Sequence, residues 1–219
     1  SSPGKRIIPV FSSPLQHLPL QILPQSNFFV NRKNPDKELL WEAGKVLADG
    51  GLVAFPTETV YGLGGDALQA DSARKIYAAK GRPSDNPLII HISRWEDIYH
   101  ICRDIPEAAK KLADAFWPGP LTMILPKSPK VPLSVTAGLD TVAVRCPSHP
   151  IARNLIKASG VPLAAPSANL SGKPSPTKAA HVIEDLDGKI DAVVDGDECS
   201  VGVESTVVTL VTNPPTLLR

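Results

Sequence analysis

The sequence predicts one α/β domain built on a single mixed, twisted sheet with flanking helices. Three observations carry that expectation. Short apolar runs at 52–55, 88–92 and 141–145 have strand length, whereas Leu39, Leu40, Ala43, Val46 and Leu47 recur at helical spacing. The two kinds of segment do not alternate as strict strand–helix–strand units, which favours a mixed sheet over a doubly wound parallel one. Proline supplies 23 of 219 residues, about twice its usual share of ~5%, and at about 3 kcal/mol per helix-interior position it argues against a helical bundle.

Residues 1–34 read as an extended, proline-punctuated arm with short strands at 6–10 and 27–30, and residues 35–219 as the folded domain. A helix follows Pro35 and ends at Gly50-Gly51. A buried strand at 52–55, a helix at 72–80 and a strand at 88–92 come next. Ser93-Arg94-Trp95-Glu96 matches a capping box that would open a helix to about residue 103. Pro106, at a favoured first-turn position, opens a helix over 106–116. Strands at 121–125 and 141–145, a helix at 150–158, a strand at 162–165 and a helix at 176–186 follow. Strands at 191–194, 206–211 and 216–218 close the domain, with no repeat or linker after residue 35.

At 42% hydrophobic residues, 21% charged residues and a net charge of +1, disorder throughout is excluded, and 15 glycines are too few for a collagen-like chain. Cys102, Cys146 and Cys199 are odd in number and share no short spacing, so neither a disulfide framework nor a zinc ribbon is indicated. They suit a reducing, cytoplasmic setting. No run approaches the ~18 apolar residues of a membrane span. The chain begins Ser1-Ser2-Pro3 and Met123 is its single methionine, so residues are expected to be missing at an end. No acidic residue precedes Asp36, a trait shared with mitochondrial presequences, which makes a mitochondrial pool a secondary expectation. Prolines 3, 9, 14, 19 and 24 forbid the amphipathic helix such a presequence needs. Charge is segregated: residues 74–94 carry a net +4, 127–178 a net +6 and 179–205 a net −7. One electropositive surface beside an acidic neighbour would produce this pattern, and so would ordinary solvated faces.

Five loops carry small, polar or basic residues at strand or helix ends. The segment Pro56-Thr57-Glu58-Thr59-Val60-Tyr61-Gly62-Leu63-Gly64 can form a hydrogen-bonding wall at a strand's carboxyl end, where open α/β sheets bind ligands. Glu58 is a candidate general base there, although a glycine turn with threonine caps explains the same residues without a ligand. Lys80-Gly81-Arg82-Pro83 sets two cations around a glycine. Arg82 suits bidentate contact with a polyanion and Lys80 suits a point charge, while basic residues also complement a helix C-terminus. His91 lies in an apolar strand, where a satisfied core histidine is the commoner outcome. In Trp117-Pro118-Gly119-Pro120-Leu121-Thr122 the tryptophan reads as a packing anchor. Arg145 ends a strand, and Cys146 beside it has no paired base and reads as structural. Ala165-Pro166-Ser167-Ala168-Asn169-Leu170-Ser171-Gly172 presents neutral donors and backbone N–H groups that suit phosphate oxygens. The Walker, dinucleotide, zinc-protease and nucleophile-elbow patterns do not occur. The residues alone therefore support a nucleotide or polyphosphate site acting by positioning and charge stabilisation, as in phosphoryl or nucleotidyl transfer. They do not name the reaction.

Lys80-Gly81-Arg82, followed far downstream by Ser167-Ala168-Asn169, resembles the signature of the YrdC/TsaC family of threonylcarbamoyl-adenylate synthases. The segment from Pro56, Asn86-Pro87-Leu88, the segment from Trp117, Val144-Arg145-Cys146-Pro147 and Gly202-Val203-Glu204-Ser205-Thr206-Val207 match in the same order, over about residues 35–219. The stretch Asn213 to Arg219 looks like the end of the first domain of the longer, two-domain members. The resemblance implies a twisted open sheet with a large, positively charged cavity. It also implies synthesis of L-threonylcarbamoyl-AMP from L-threonine, bicarbonate or CO2, and ATP, with release of pyrophosphate. The product would pass to a tRNA threonylcarbamoyltransferase complex, for N6-threonylcarbamoyladenosine at position 37 of ANN-decoding tRNAs, and weak RNA binding would accompany it.

By the same resemblance, Lys80, Arg82, Ser167 and Asn169, assisted by Arg145, hold the ATP phosphates, and Lys80 and Arg82 stabilise the transition state. Thr57, Tyr61, His91, Thr122 and Ser205 line the threonine and carbamate end. Magnesium is expected as the ATP complex, with Glu58, Asp195 and Glu204 as water-mediated partners and no dense protein cage. Two rivals share part of the pattern. An RNA-binding module could use the same basic surface, but 5% aromatic residues give few stacking platforms. The YrdC-like domain of hydrogenase-maturation carbamoyltransferases keeps the adenylate chemistry with carbamoyl phosphate, and carries zinc-finger-like and acylphosphatase segments not seen in this sequence.

Overall fold

The structure, a computed structural model, describes residues 26–29, 36–196 and 198–219. In chain order the elements are β1 (Ser26–Phe29), α1 (Lys37–Ala48), β2 (Val53–Pro56), β3 (Tyr61–Asp66), α2 (Ala70–Lys80) and β4 (Ile89–His91). A 3-10 turn at Trp95–Asp97 then leads into α3 (Ile98–Ile101), followed by α4 (Glu107–Phe116), β5 (Leu121–Pro126), β6 (Thr141–Arg145) and α5 (Pro150–Ser159). The chain closes with β7 (Leu163–Ala164), α6 (Ala179–Leu186), β8 (Ala192–Asp195), β9 (Thr206–Thr209) and β10 (Thr216–Leu217).

The described strands form one open sheet in the order β1-β8-β2-β3-β7-β4-β6-β5-β9-β10. It is mixed, as expected: β8 runs parallel to β1 and β2, β6 to β4 and β9 to β5, while the other neighbours are antiparallel. Local chemistry sets the helix ends. Asp36 accepts from the Glu38 and Leu39 backbone N–H groups at the start of α1. Gly81 closes α2 at φ +58°, a left-handed conformation open to glycine at little cost. That reversal sets Lys80 and Arg82 on either side of one sharp corner.

Three expectations change. The segment after Pro56 is not a loop but a hairpin, whose second strand is β3. Glycines usually weaken strands, but here the Phe55 ring fills the space of a missing side chain: a Cβ on Gly64 would lie 2.7 Å from Phe55 Cε1. The capping box does not form. Ser93 donates to the Asp97 carboxylate at 3.2 Å instead of capping a helix, and Arg94 pairs with the same carboxylate, so the segment opens as a 3-10 turn and the helix stops at Ile101. The last expected helix begins at Ala179 and not at 176. The 27–30 strand corresponds to β1, while the strand at 6–10 and the rest of the arm lie outside the described residues.

Strand alternation sorts side chains onto two faces. Val53, Phe55, Leu163, Ala192 and Val194 bury against α1 (Leu40, Ala43, Leu47) and α5 (Ile151, Leu155, Ile156). The intervening Ala54, Ala164 and Val193 face the opposite layer, which includes Ile76 of α2, Ile98 and Ile101 of α3, Ala109 of α4 and Val182 of α6. The α1–α5 layer packs on β2, β7 and β8, and among the described residues β5, β6 and β9 contribute nothing to its apolar cluster. On those strands Thr122, Ile124, Ala143, Arg145 and Val207, with Ile89 and His91 of β4, line an uncovered hollow. The site is thus the part of one sheet face that the helices leave open. Among the described residues no helix is long and apolar enough to cross a membrane.

Candidate active site

The hollow has a volume of about 380 Å³ and draws its walls from distant parts of the chain. The β2–β3 turn supplies Thr57 and Thr59, β4 supplies His91, and the adjoining strands β5 and β6 supply Thr122 and Arg145. Arg82 enters from the corner after α2, Ser167 from the loop after β7, and Glu204, Ser205 and Arg219 from the β9–β10 region. The charged lining is three arginines against Glu204.

Seven of the ten expected site residues therefore meet: Thr57, Arg82, His91, Thr122, Arg145, Ser167 and Ser205. Three do not line the cavity. Tyr61 is one residue out of phase with Gly62, so alternation turns its ring into the opposite core layer, where its hydroxyl accepts from Gly196 N–H at 3.2 Å. The Asn169 amide is spent locally, donating at 2.8 Å to both Leu170 O and Lys173 O. Lys80 is 3% exposed and lies behind the wall. Its ammonium donates to the carbonyls of Ser167 and Asn169, the latter at 2.6 Å, and so staples the 167–169 loop to the end of α2. Burial first, and then the neighbouring Arg82 charge, push its pKa down to about 8.

The wall is preorganised by internal hydrogen bonds. The Thr57 hydroxyl donates to Val60 O at 2.6 Å and accepts from the Thr59 and Val60 N–H groups, closing the turn. The turn is thus capped by threonine, while its glycines lie in β3 and not in the turn, and Thr57 and Thr59 both line the cavity. Thr122 and Ser205 share a hydrogen bond of 2.8 Å. His91 uses Nδ1 against Ile89 O at 3.2 Å and sets its ring edge-on to Phe55. Burial, reinforced by Arg145, pushes its pKa down to about 3, so the imidazole is neutral.

Two features point to an anionic ligand. Both Arg82 and Arg145 leave a buried Nε–H without a protein acceptor. A buried donor left unpaired costs about 1–3 kcal/mol, and both guanidinium groups belong to residues that line the cavity, where they favour an anion. Among the described residues Arg82 is otherwise held only by a long 3.5 Å contact to Pro87 O. Arg145 is anchored by an ion pair with Glu58 and by Thr59 Oγ1 at 3.0 Å.

Those contacts remove Glu58 as a general base. Burial raises its pKa, but Arg145 and the His149 N–H outweigh that and hold the carboxyl below its ordinary range. Glu204 pairs with Arg219, and Asp195 is not part of the lining. Among the described residues no group of three or more His, Cys, Asp or Glu side chains is placed to hold a metal ion. The three cysteines are buried, and burial pushes the Cys102 and Cys146 thiols up to about 12 and 11, in keeping with structural roles. Trp117 packs against the core and donates to Leu121 O at 2.7 Å, as an anchor would.

Sequence reasoning passed over Thr59 as a ligand of Arg145, the apolar floor of Ile124, Ala143 and Val207, and Arg219. Strand periodicity holds the signal for the floor, since Ile124 is in phase with Thr122 and Ala143 with Arg145. Arg219 offers none, because only the β9–β10 pairing returns it to Ser205, whose carbonyl accepts from its Nε at 3.0 Å.

A family profile described as telomere recombination (Sua5/YciO/YrdC) matches residues 45–219. The threonylcarbamoyl-AMP synthase of Pyrococcus abyssi is 59% identical over 177 residues, covering 81% of this chain and 52% of that protein. The one from Bacillus subtilis is 57% identical over 180 residues, with the same coverage of 81% and 52%. The chain thus spans about half the length of the curated relatives it matches. The crystal structure of P. abyssi Sua5 complexed with L-threonine superposes with a TM-score of 0.86 at 54% identity, over 88% of this chain and 56% of that one. Escherichia coli YciO shares the fold, with a TM-score of 0.81 at 23% identity over 89% and 95% of the two chains. An open mixed sheet with its cation-lined hollow, a profile match over most of the domain and relatives above one-half identity together establish that the chain belongs to the Sua5/YciO/YrdC family.

Proposed function

We propose that residues 35–219 form the synthase domain of an L-threonylcarbamoyl-AMP synthase using L-threonine, bicarbonate or CO2, and ATP. The observation that carries the reading is that Arg82 and Arg145, cations held in largely buried positions, line one cavity together. It occurs in a chain 54% identical to a Sua5 crystallised with L-threonine.

In this reading the threonine amine adds to CO2, forming an N–C bond and releasing a proton to give a carbamate. A carbamate oxygen then bonds to the α-phosphorus of ATP as the bond from that phosphorus to the bridging oxygen breaks. Pyrophosphate leaves with that electron pair. The protein's task is to collect three anionic groups in one hollow and to stabilise charge on the phosphoryl group and leaving pyrophosphate. Arg82 and Ser167 meet the phosphates at the wall, while Lys80 and Asn169 support that wall from behind through the 167–169 loop. Thr57, His91, Thr122 and Ser205 face threonine and the carbamate; neutral His91 can share a hydrogen bond without adding charge. Arg145 sits in register with both His91 and Thr122, at the junction of the two ends. Magnesium would enter as the companion of the triphosphate. The acyl-adenylate must be consumed by a transfer to an amine, for which the N6 group of adenosine 37 in tRNA, on a partner threonylcarbamoyltransferase, is the acceptor the family implies.

Incubation with ATP, bicarbonate and labelled threonine should give labelled threonylcarbamoyl-AMP and pyrophosphate, and omission of any one substrate should abolish both. Tight RNA binding with no adenylate would overturn the reading in favour of an RNA-binding module.

A further inference from the structure

We propose that Glu58 is a positioning residue: it fixes the Arg145 guanidinium in the orientation that meets a substrate oxyanion in the cavity, with Thr59 completing the hold. This rests on the synthase reading and adds a residue to its machinery. Arg145 is 4% exposed and Glu58 is 6% exposed, so water does little to share their charge. One oxygen of Glu58 pairs with Arg145 Nη2. The other accepts from the N–H groups of Ser148 at 3.0 Å and His149 at 3.2 Å, where the chain enters α5. With both oxygens committed, the carboxylate cannot turn. Thr59 Oγ1 takes Nη1 of the same guanidinium at 3.0 Å. Guanidinium donors lie in a rigid planar fork, so fixing both Nη atoms fixes the plane of the whole Arg145 guanidinium, which lines the cavity.

The brace is itself held from behind. The carbonyls of Glu58 and Thr59 accept from Val201 and Gly202 N–H, each at 3.0 Å. A buried ion pair alone is weak evidence for stability, because apolar pairs of similar volume often do as well. What an apolar pair could not do is aim a cationic donor. The oxyanion is either the threonine carboxylate or an ATP phosphate, and the two are separated by experiment.

The test uses Glu58→Gln and Thr59→Val in the complete protein, with threonine and ATP titrated separately. A glutamine must turn its NH2 either toward the guanidinium or toward the two backbone N–H groups, so one contact is lost whichever way it sits. The KM for one substrate should rise about tenfold to a hundredfold with kcat within about threefold, and Thr59→Val should raise the same KM by less. A rise in the threonine KM identifies the carboxylate, and a rise in the ATP KM identifies the phosphates. A purely structural role would lower the melting temperature and the active fraction while leaving both KM values in place, and that result, or equal rises for both substrates, overturns the proposal. If Glu58→Gln does not fold, Thr59→Val decides, since it strands no buried charge. Unchanged dissociation constants for both substrates by calorimetry would then refute the brace. If the unmodified protein makes no adenylate, the synthase reading fails by itself, while the same calorimetric comparison still reports on Arg145.

Discussion

Replacing Lys80 with methionine should cripple adenylate formation by loosening a loop, not by removing a ligand from the cavity. Methionine keeps the length and apolar stem but leaves the carbonyls of Ser167 and Asn169 without their donor. Two stranded carbonyls cost about 2–6 kcal/mol together. Against this stands relief of the buried charge, whose pKa falls from 10.5 to about 8, worth about 3 kcal/mol at 1.36 kcal/mol per unit. The net loss of stability should lie between about −1 and +3 kcal/mol, centred on about 1 kcal/mol, a fall in Tm of about 2–4 °C at this chain length. The loop also donates Ser171 N–H to Lys80 O at 2.8 Å, so loss of the staple should show as faster amide hydrogen exchange across 167–171. Formation of threonylcarbamoyl-AMP from labelled threonine should drop by about a hundredfold or more, the scale of a lost electrostatic or orienting contact. Lost activity with unchanged loop exchange and Tm would mean that Lys80 touches the phosphates directly. Near-normal turnover with a loosened loop would remove Lys80 from the mechanism altogether.

Lys80 also fixes the sign of an alkaline effect: between about pH 8 and 10.5 the unfolded chain binds a proton that the folded chain does not, so stability rises with pH across that window. Urea unfolding of the parent minus Lys80→Met should show this rise, and a flat difference would contradict the lowered pKa. Glu58 works in the opposite range. Its folded pKa lies below the ordinary 4.5, so it contributes stability above that value that is lost as the pH falls through the folded pKa; Glu58→Gln should be less stable at neutral pH and have a shallower acid transition. Gly64→Ala sets a methyl against the Phe55 ring and should cost about 1–3 kcal/mol, and an unchanged urea midpoint would show that the ring yields.

The sequence was most informative where one segment decided its own shape. Helices α1 and α5 show their apolar stripes and end signals plainly, and strand β6 begins and ends where its apolar run does. It was least informative where a distant contact overrode local chemistry. Gly62 and Gly64 read as part of a loop because the ring that occupies the space beside them in the strand, Phe55, acts through space. Ser93 looked like a helix cap, yet Asp97 takes its hydroxyl. The cations were legible as cations but not as lining or support, since Lys80 and Arg82 straddle the same corner and only packing shows which one reaches the cavity. Tyr61 could have been excluded had β3 been recognised, because its place beside Gly62 settles the face on which its ring lies.

The cations in and behind the cavity wall are restrained to very different degrees, and that difference matches the two tasks of the proposed reaction. Lys80 is committed to backbone carbonyls, Arg145 to Glu58 and Thr59, and Arg219 to Glu204 and the Ser205 carbonyl. Arg82 has one long contact to Pro87 O and a buried Nε without an acceptor. Donors fixed before substrate arrives stabilise developing charge without reorganising at the moment of reaction, which suits the groups that set where threonine and the α-phosphate lie. Charge then moves from the α-phosphoryl group to pyrophosphate, and a half-buried guanidinium with little to hold it can follow that movement at small cost. Proline shapes the same division. Pro83 and Pro87 stiffen the backbone around Arg82, so the freedom left at that corner belongs to the arginine side chain, while Pro166 leads into the loop that Lys80 staples from behind.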